Sequence, residues 1–347
     1  MVMATIKDIA RLTGVSTATV SNVLNGKINA ASPAKAREII DAAGRLHYTP
    51  NLLAKSLKKQ KTNNIGIITE DLTVFNTPEI VDGIDAYCKE NGYEIILGNM
   101  RLFKRYNNDF TDTIKYQQIL DDMVSNMLSK QVEGIVYVGH HCREISYLPS
   151  LVTVPMVYAY CFPKENTYPS VMYNDEKASL DLTNLLISKG HKSIGVITGP
   201  PASFHTIHRL KGFQKALFQN GILFNTDMVF NGDWARHSGY SNTDALLNAG
   251  VSAIFCFNDL MASGVYERCT EKGLVIGKDI SLVGFDNREI SLGYSPHIST
   301  VEPPLNEIGR KSAELVLTQI KTNKALTDQV YLDCILHIRG SISELTP

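Results

Sequence analysis

No two of the six cysteines are spaced as CxxC; Cys88, Cys142, Cys161, Cys256, Cys269 and Cys334 are scattered, several of them inside apolar runs. That excludes a zinc-ribbon or dithiol redox motif and reads as reduced core thiols of a cytosolic protein. No uninterrupted stretch of about eighteen apolar residues occurs, and the opening residues form no apolar signal-like run, so neither a membrane span nor secretion is expected. GxGxxG, P-loop and HExxH patterns are all missing, which leaves catalysis without a foothold. An excess of charge of one sign is missing too: 34 Lys and Arg face 35 Asp and Glu. Any affinity for a polyanion must then be local.

It is local, at the front. Residues 1–61 carry ten Lys and Arg against Asp8, Glu38 and Asp41, in a chain whose 347 residues predict two or three compact units. Three short helices are marked there by their start signals. The first runs from about Ile6 to Thr13, with Thr5 as N-cap, Asp8 in its first turn and Gly14 as its stop. The second follows Ser16 and carries Thr17 to Leu24. The third opens at Ser32-Pro33 and reaches about Leu46. Ile6, Ile9, Ala10, Val15, Val20, Val23, Ile39, Ile40, Ala43 and Leu46 recur at helical spacing and predict a small core. The short turn Gly14-Val15-Ser16 between two helices predicts a helix-turn-helix. Beyond it, Tyr48 to Thr62 holds Pro50 and a lysine cluster, which suits a hinge near phosphate.

From Ile65 onward short β-rich runs alternate with amphipathic helices. Ile65–Ile68, Tyr93–Leu97, Gly134–Val138, Pro155–Tyr158, Ser193–Ile197, Ala253–Phe257 and Ile280–Gly284 read as buried parallel strands. The repeated βαβ order predicts a doubly wound α/β architecture with ligands beyond the carboxyl ends of the strands.

The run Thr5–Asn25, TIKDIARLTGVSTATVSNVLN, closely resembles the opening of the lactose-repressor (LacI/GalR) family. The resemblance continues through Tyr48–Asn51 and Ala54–Leu57, then at Lys189–His191, Arg209–Phe213, Gly232–Trp234, Phe257–Ala262, Val283–Asn287 and Arg339–Ser341. It implies an all-α helix-turn-helix domain over 1–49, a hinge over 50–62, and a periplasmic-binding-protein-like core of two doubly wound lobes over 63–347. On this reading the first lobe takes 63–161 and 296–325, and the second takes 162–295 and 326–341. The implied function is a cytoplasmic, homodimeric transcriptional repressor that binds a pseudo-palindromic operator and a small effector between the lobes. No cofactor, metal, catalytic residue or membrane partner is implied.

A recognition helix presents small polar side chains to base edges while its neighbours hold phosphate. Thr17, Ala18 and Asn22 match the family's base-reading positions; Thr5, Ser16, Thr19, Ser21, Asn25 and Ser32 match positions that hold the backbone. Many members have Arg where this chain has Asn22, and Asn favours adenine over guanine. Where relatives often carry Thr-Arg early in the third helix, Lys35-Ala36 stands here. In the hinge, Asn51, Ala54 and Leu57 are further DNA-binding positions that the resemblance implies, Leu57 being the leucine that the family inserts into the minor groove.

For the effector, the resemblance implies Arg209, Asn258 and Asp286 as polar ligands and Trp234 as a face for a sugar ring, with Phe75, Asn76 and Tyr160 from the first lobe. Asn76-Thr77 replace an aromatic pair common in relatives, which removes a platform for a flat base and favours a carbohydrate. The rival readings are a nucleoside- or purine-responsive regulator, a solute-binding protein without a DNA role, and a sugar-metabolising enzyme. His140, His141, His205 and His208 have spacings that fit a metal site, but surface loop positions are the stronger expectation.

Overall fold

Residues 4–27 and 29–48 fold around three start signals and one stop. In a computed structural model describing residues 4–27, 29–48, 61–106 and 113–345, the chain divides into units 1–62 and 63–347. The first unit holds α1 (Ile6–Thr13), α2 (Thr17–Leu24) and α3 (Pro33–Arg45). The Asp8 carboxylate accepts from the backbone N–H (2.9 Å) and hydroxyl (2.6 Å) of Thr5, which fixes the start of α1. Gly14 ends it in the left-handed region at φ 66°. Ser16 Oγ accepts from Thr19 N–H at 3.0 Å and starts α2. Ile9, Val20, Ile39 and Ala42 are fully buried where the three helices meet. Ile40, expected in that core, is 54% exposed, because Ile39 already occupies the inward position of α3.

The second unit has two parallel sheets. The first contains β1 (Asn64–Thr69), β2 (Glu94–Asn99), β3 (Gly134–Val138), β5 (Met156–Ala159), β7 (Ser170–Tyr173) and β13 (Gln329–Leu332), in the order β13-β7-β5-β3-β1-β2. The second contains β8 (Ile194–Thr198), β9 (Val229–Asn231), β10 (Ala253–Cys256) and β11 (Ser281–Val283), in the order β11-β10-β8-β9. Two small ribbons complete the described strands: β4 (Glu144–Ile145) with β6 (Phe162–Pro163), and β12 (Thr300–Glu302) with β14 (Ile335–His337). The two main sheets are the two lobes.

Their boundaries differ from those drawn on the sequence. β7 pairs with β5 and β13 with β7, so 170–173 and 329–332 belong to the first lobe and not, as the sequence reading has them, to the second. The chain leaves the first lobe only after it has added one more strand, and returns to add another. Helices cover both sheets, and the tightest crossings are made by glycine. A Cβ on Gly83 would meet Asn306 O at 2.1 Å and one on Gly309 would meet Ile80 O at 2.0 Å, so helices Thr77–Glu90 and Leu305–Thr322 touch backbone to backbone. Gly239 and Gly264 do the same for helices Arg236–Asn248 and Asp259–Glu271. All six cysteines are free thiols and five are buried, with Cys334 partly so.

Candidate ligand cleft and DNA-reading helix

In the core, loops following the strands of both lobes face one another across a cleft of about 580 Å³. At its base lies Arg209, buried to 2% and placed by the first turns of helix Phe204–Gln219. Its Nε donates to Asp175 Oδ1 (2.7 Å) and its Nη2 to the Tyr173 hydroxyl (2.9 Å); Nη1 donates to the carbonyl of Phe257. Asp286 Oδ1 stands 3.6 Å from Nη2, and Phe285 packs 3.5 Å beneath the guanidinium. Burial works against the charge on Arg209, but Tyr173, Asp175 and Asp286 outweigh it and hold the group protonated. Asp286 shows the reverse balance. Burial lifts its carboxyl to about 6, and Arg209 and Arg288 offset only part of that. It is therefore poised to take a proton or a ligand hydroxyl.

A second residue of the same helix closes the base. His205 is buried to 3% and donates from Nδ1 to Asp175 Oδ2 (2.8 Å), which leaves Nε2 to accept from the Tyr160 hydroxyl (3.0 Å). Burial pushes the His205 pKa down, with Asp175 opposing, so the ring is neutral. Burial likewise opposes the charge of Asp175, but His205 and Arg209 overcome it and keep the carboxyl low. Above them, His141 Nε2 pairs with Ser203 Oγ at 3.0 Å. Burial first, then the neighbouring imidazoles of His205 and His140 and the guanidinium groups of Arg143 and Arg209, push the His141 pKa well down.

Asn258 Oδ1 caps the helix Asp259–Glu271 by accepting from Met261 N–H (2.8 Å), and Nδ2 donates to Trp234 O (2.9 Å). The Trp234 indole lies against Gly199, where a Cβ would sit 2.0 Å from the ring. Tyr160, Trp234 and Asp286 all have positive φ (59°, 71° and 99°), a backbone cost of about 1–3 kcal/mol each that clusters at working sites.

Of the expected effector residues, Phe75, Tyr160, Arg209, Trp234, Asn258 and Asp286 line this cleft. Asn76 does not. It is 1% exposed, and its Nδ2 donates to His140 O (3.2 Å) behind the wall. The turn before helix Thr77–Glu90 brings Phe75 to the cleft and folds the next residue inward. The histidines expected on surface loops are instead cleft residues: His140, His141 and His205 all line it, while His208 stacks on Phe204 at 3.8 Å. Among the described residues no cluster of His, Cys, Asp and Glu is arranged to hold a metal ion. Sequence reasoning missed Asp175, His205, His141 and Phe103. The only cue to Asp175 was its place at a helix start after a short apolar run.

Behind the first-lobe wall sits a second buried carboxylate. Glu70, fully buried, accepts both Nη groups of Arg143 (2.8 and 2.7 Å), the hydroxyls of Tyr137 (2.5 Å) and Tyr147 (2.6 Å), and the backbone N–H of His140 (3.0 Å). This network anchors the loop that carries His140 and His141.

In the first unit, Ser16, Thr17 and Ala18 are exposed and Asn22 is half-exposed on α2, while Val20 turns into the core. Ser21 and Asn25 are tied together, with Asn25 Nδ2 donating to Ser21 O at 2.7 Å. Thr5 and Ser32, both exposed, stand at the N-caps of α1 and α3. Asn51, Ala54 and Leu57 lie outside the described residues.

Residues 5–51 match the family model described as bacterial regulatory proteins, lacI family, and residues 183–342 match a periplasmic binding protein-like domain. The HTH-type transcriptional repressor PurR of Vibrio atlanticus (strain LGP32) is 32% identical over 326 residues, covering 92% of each chain. This chain belongs to the lacI family of bacterial regulators. A second relative with the same printed name, from Actinobacillus pleuropneumoniae serotype 3 (strain JL03), is 32% identical over 325 residues and 93% of each chain. Among solved structures, the lac repressor dimer bound to operator and the anti-inducer ONPF is 26% identical, with a TM-score of 0.77 over 97% of this chain and 98% of that one. The CelR–cellobiose complex, at 23% identity and a TM-score of 0.63 over 97% and 99% of the two chains, shares the fold. The regulator is thus a DNA-binding transcriptional repressor with a core that takes a small effector between two lobes. No helix among its described residues is long and apolar enough to cross a membrane.

Proposed function

We propose that the regulator acts in the cytoplasm, without enzymatic activity, as a homodimer on a pseudo-palindromic operator, and that a sugar or sugar derivative in the cleft sets its operator affinity. The observation that carries the effector class is Arg209 beside Asp286 at the base of an aromatic cleft. A guanidinium fork offers two donors to neighbouring hydroxyls and a carboxylate accepts from two more, with Trp234 as a face for the ring. Thr17, Ala18 and Asn22 read base edges, and Thr5, Ser16, Thr19, Ser21, Asn25 and Ser32 hold the backbone. Asn51, Ala54 and Leu57 serve the hinge.

A second reading has its own support. Phe75, Phe103 and His141 line the cleft together with Trp234, so flat rings are not lacking, although Asn76-Thr77 had suggested that they were. A nucleobase or nucleoside therefore remains the rival effector. A thermal-shift screen of sugars, sugar phosphates and nucleosides separates the two, since a ligand that binds only the native state raises its stability by mass action. A response confined to nucleosides removes the sugar reading.

Asp286→Ala should leave operator affinity without effector near that of the parent and cost the effector about 1.5–3 kcal/mol, the worth of a charged hydrogen bond. The pH dependence has a definite sign. The ionised carboxyl accepts the ligand's hydroxyls, so as pH falls below about 6 the proton competes and affinity drops by up to about tenfold per pH unit. The alanine variant should lose that slope. An unchanged effector response in a folded Asp286→Ala protein would remove the assigned pocket.

A further inference from the structure

Arg288 does not line the cleft; it stands at its edge, against Phe75 and two residues after Asp286, both of which do line it, and it differs from the other core arginines. Arg209 gives Nε to Asp175, Nη2 to the Tyr173 hydroxyl and Nη1 to Phe257 O, which leaves one N–H on each Nη; Arg143 gives both Nη groups to Glu70, and Arg339 bonds Ser291, Ile298 O and Asn287. The Arg288 guanidinium, half-buried, has no hydrogen-bond or ion-pair partner among the described residues. It lies 4.1 Å over the ring of Phe75, a cleft-lining residue of the opposite lobe. Stacking of this kind covers the face of a guanidinium and leaves its edge donors pointing outward.

Its backbone is held firmly. Arg288 N–H donates to Asp259 Oδ2 (2.7 Å), Asn287 Nδ2 to Glu302 Oε2 (2.9 Å), and Asp286 N–H to Val301 O (2.8 Å). Asp286 and Asn287 both carry positive φ, 99° and 48°, a turn that sends Asp286 to the cleft. A fixed anchor with a stacked, unspent fork is a built donor, whereas a solvated surface arginine has neither support.

The charges around it also leave room for an anion. Asp286 and Glu79 are the carboxylates that feel Arg288, and neither lies within ion-pairing distance. Glu79 is itself raised, first by burial and then by Glu302. On the first-lobe wall the imidazole of His141 faces His140 and Arg143 of its own loop and His205 and Arg209 of the opposite lobe, all of which disfavour its protonation. Asp175 answers Arg209 and His205, and Glu70 answers Arg143. The wall is short of negative charge.

We propose that the effector carries an oxyanion, a phosphate or a carboxylate, and that Arg288 takes it at the seam between the lobes while Phe75 holds the guanidinium in place. This rests on the cleft being the effector site. It narrows the effector from a neutral ring to an acidic derivative. Because the stack joins one lobe to the other, the anion is taken only when the lobes are in this arrangement, so its binding favours that arrangement.

The test uses full-length protein and the fluorescence of Trp234, the single tryptophan. Inorganic phosphate and acetate are titrated at ionic strength held constant with sodium chloride, on the parent, Arg288→Gln and Arg288→Lys. Saturable phosphate or acetate binding is expected in the parent, weaker by about tenfold or more in Arg288→Gln, with the lysine variant between them. The stronger of the two probes names the oxyanion, and galactose against galactose 6-phosphate and galacturonate extends the comparison to ring compounds. Absence of saturable binding to the parent, or equal binding to Arg288→Gln, overturns the proposal, the latter leaving Arg288 as a mere strut on Phe75. Failure of the cleft reading looks different: operator release by ligand then survives Asp286→Ala, whatever phosphate does.

Discussion

Replacing Arg143 by Met should destabilise the core by about 3–5 kcal/mol, the cost of leaving a buried carboxylate without its cation. Glu70 is fully buried, and burial alone would favour its neutral form. Arg143, first by charge, and His140 by hydrogen bond and charge hold its pKa well below the ordinary range instead. Remove the guanidinium and two hydroxyls, the backbone N–H of His140 and its imidazole Nδ1 (2.7 Å) remain. They satisfy lone pairs but supply no fixed positive charge, so the site must take up a proton on folding. The sign of the pH dependence follows. In the parent, a depressed pKa adds stability above the unfolded value near 4.5 that is lost as pH falls; in Arg143→Met the raised pKa makes the deficit largest at neutral pH and smaller in acid. Urea unfolding at pH 7 and pH 5 checks both points. Glu70→Gln with Arg143→Met should recover most of the loss, since a neutral amide needs no counter-ion. If the double variant is no more stable than the single one, the deficit comes from lost packing of the arginine stem.

Operator binding should weaken roughly a thousandfold to a hundred-thousandfold between 50 and 200 mM salt, the range for proteins that make about 6–10 phosphate contacts. The whole chain is nearly neutral, yet residues 1–61 hold ten basic side chains against three acidic ones. On the proposed dimer two such heads meet one duplex and release many counterions. A fragment of residues 63–347 carries the remaining acidic excess and should not bind at any of these salts. Substituting Asn22 by Ala should act otherwise, costing about 1–3 kcal/mol on operator and little on random DNA, because a base contact is lost and no phosphate contact. Filter binding or fluorescence anisotropy over a salt series measures all three. A salt slope equal for the intact chain and the fragment would place the binding elsewhere.

How much of this was legible before the fold was known depended on how far each feature reaches along the chain. The helix-turn-helix announces itself within a few residues: a cap, a first-turn acid, a glycine stop, a Ser-Pro start. The parallel strands did likewise, as runs of four or five residues, although β2, expected to be buried, is half-exposed because it closes the edge of its sheet. β7, β9 and β13 were missed because they are short and take their stability from neighbours far along the chain, as Val330 does from Val171. The cleft was legible only in part, and only through family resemblance. Arg209, Asn258 and Asp286 stood out, but nothing local says that Asp175 will hold both Arg209 and His205, since that trio forms only when two helix starts meet. Asn76 and Phe75 show the limit most sharply: one residue of turn geometry decides which enters the cleft.

The glycine crossings have a consequence for how the regulator can move. Where Gly83 meets Asn306 and Gly309 meets Ile80, and where Gly239 and Gly264 interlock, the helices have no side-chain cushion between them on which to slide. Each lobe is keyed internally like two gears held in mesh, so strain applied at the cleft is not absorbed by slippage within a lobe. It must appear as rotation of whole lobes about the segments of chain that connect them. An alanine at any of these four glycines would therefore do more than loosen packing. It would disengage the teeth, and a core that still bound its ligand would lose the leverage to report it.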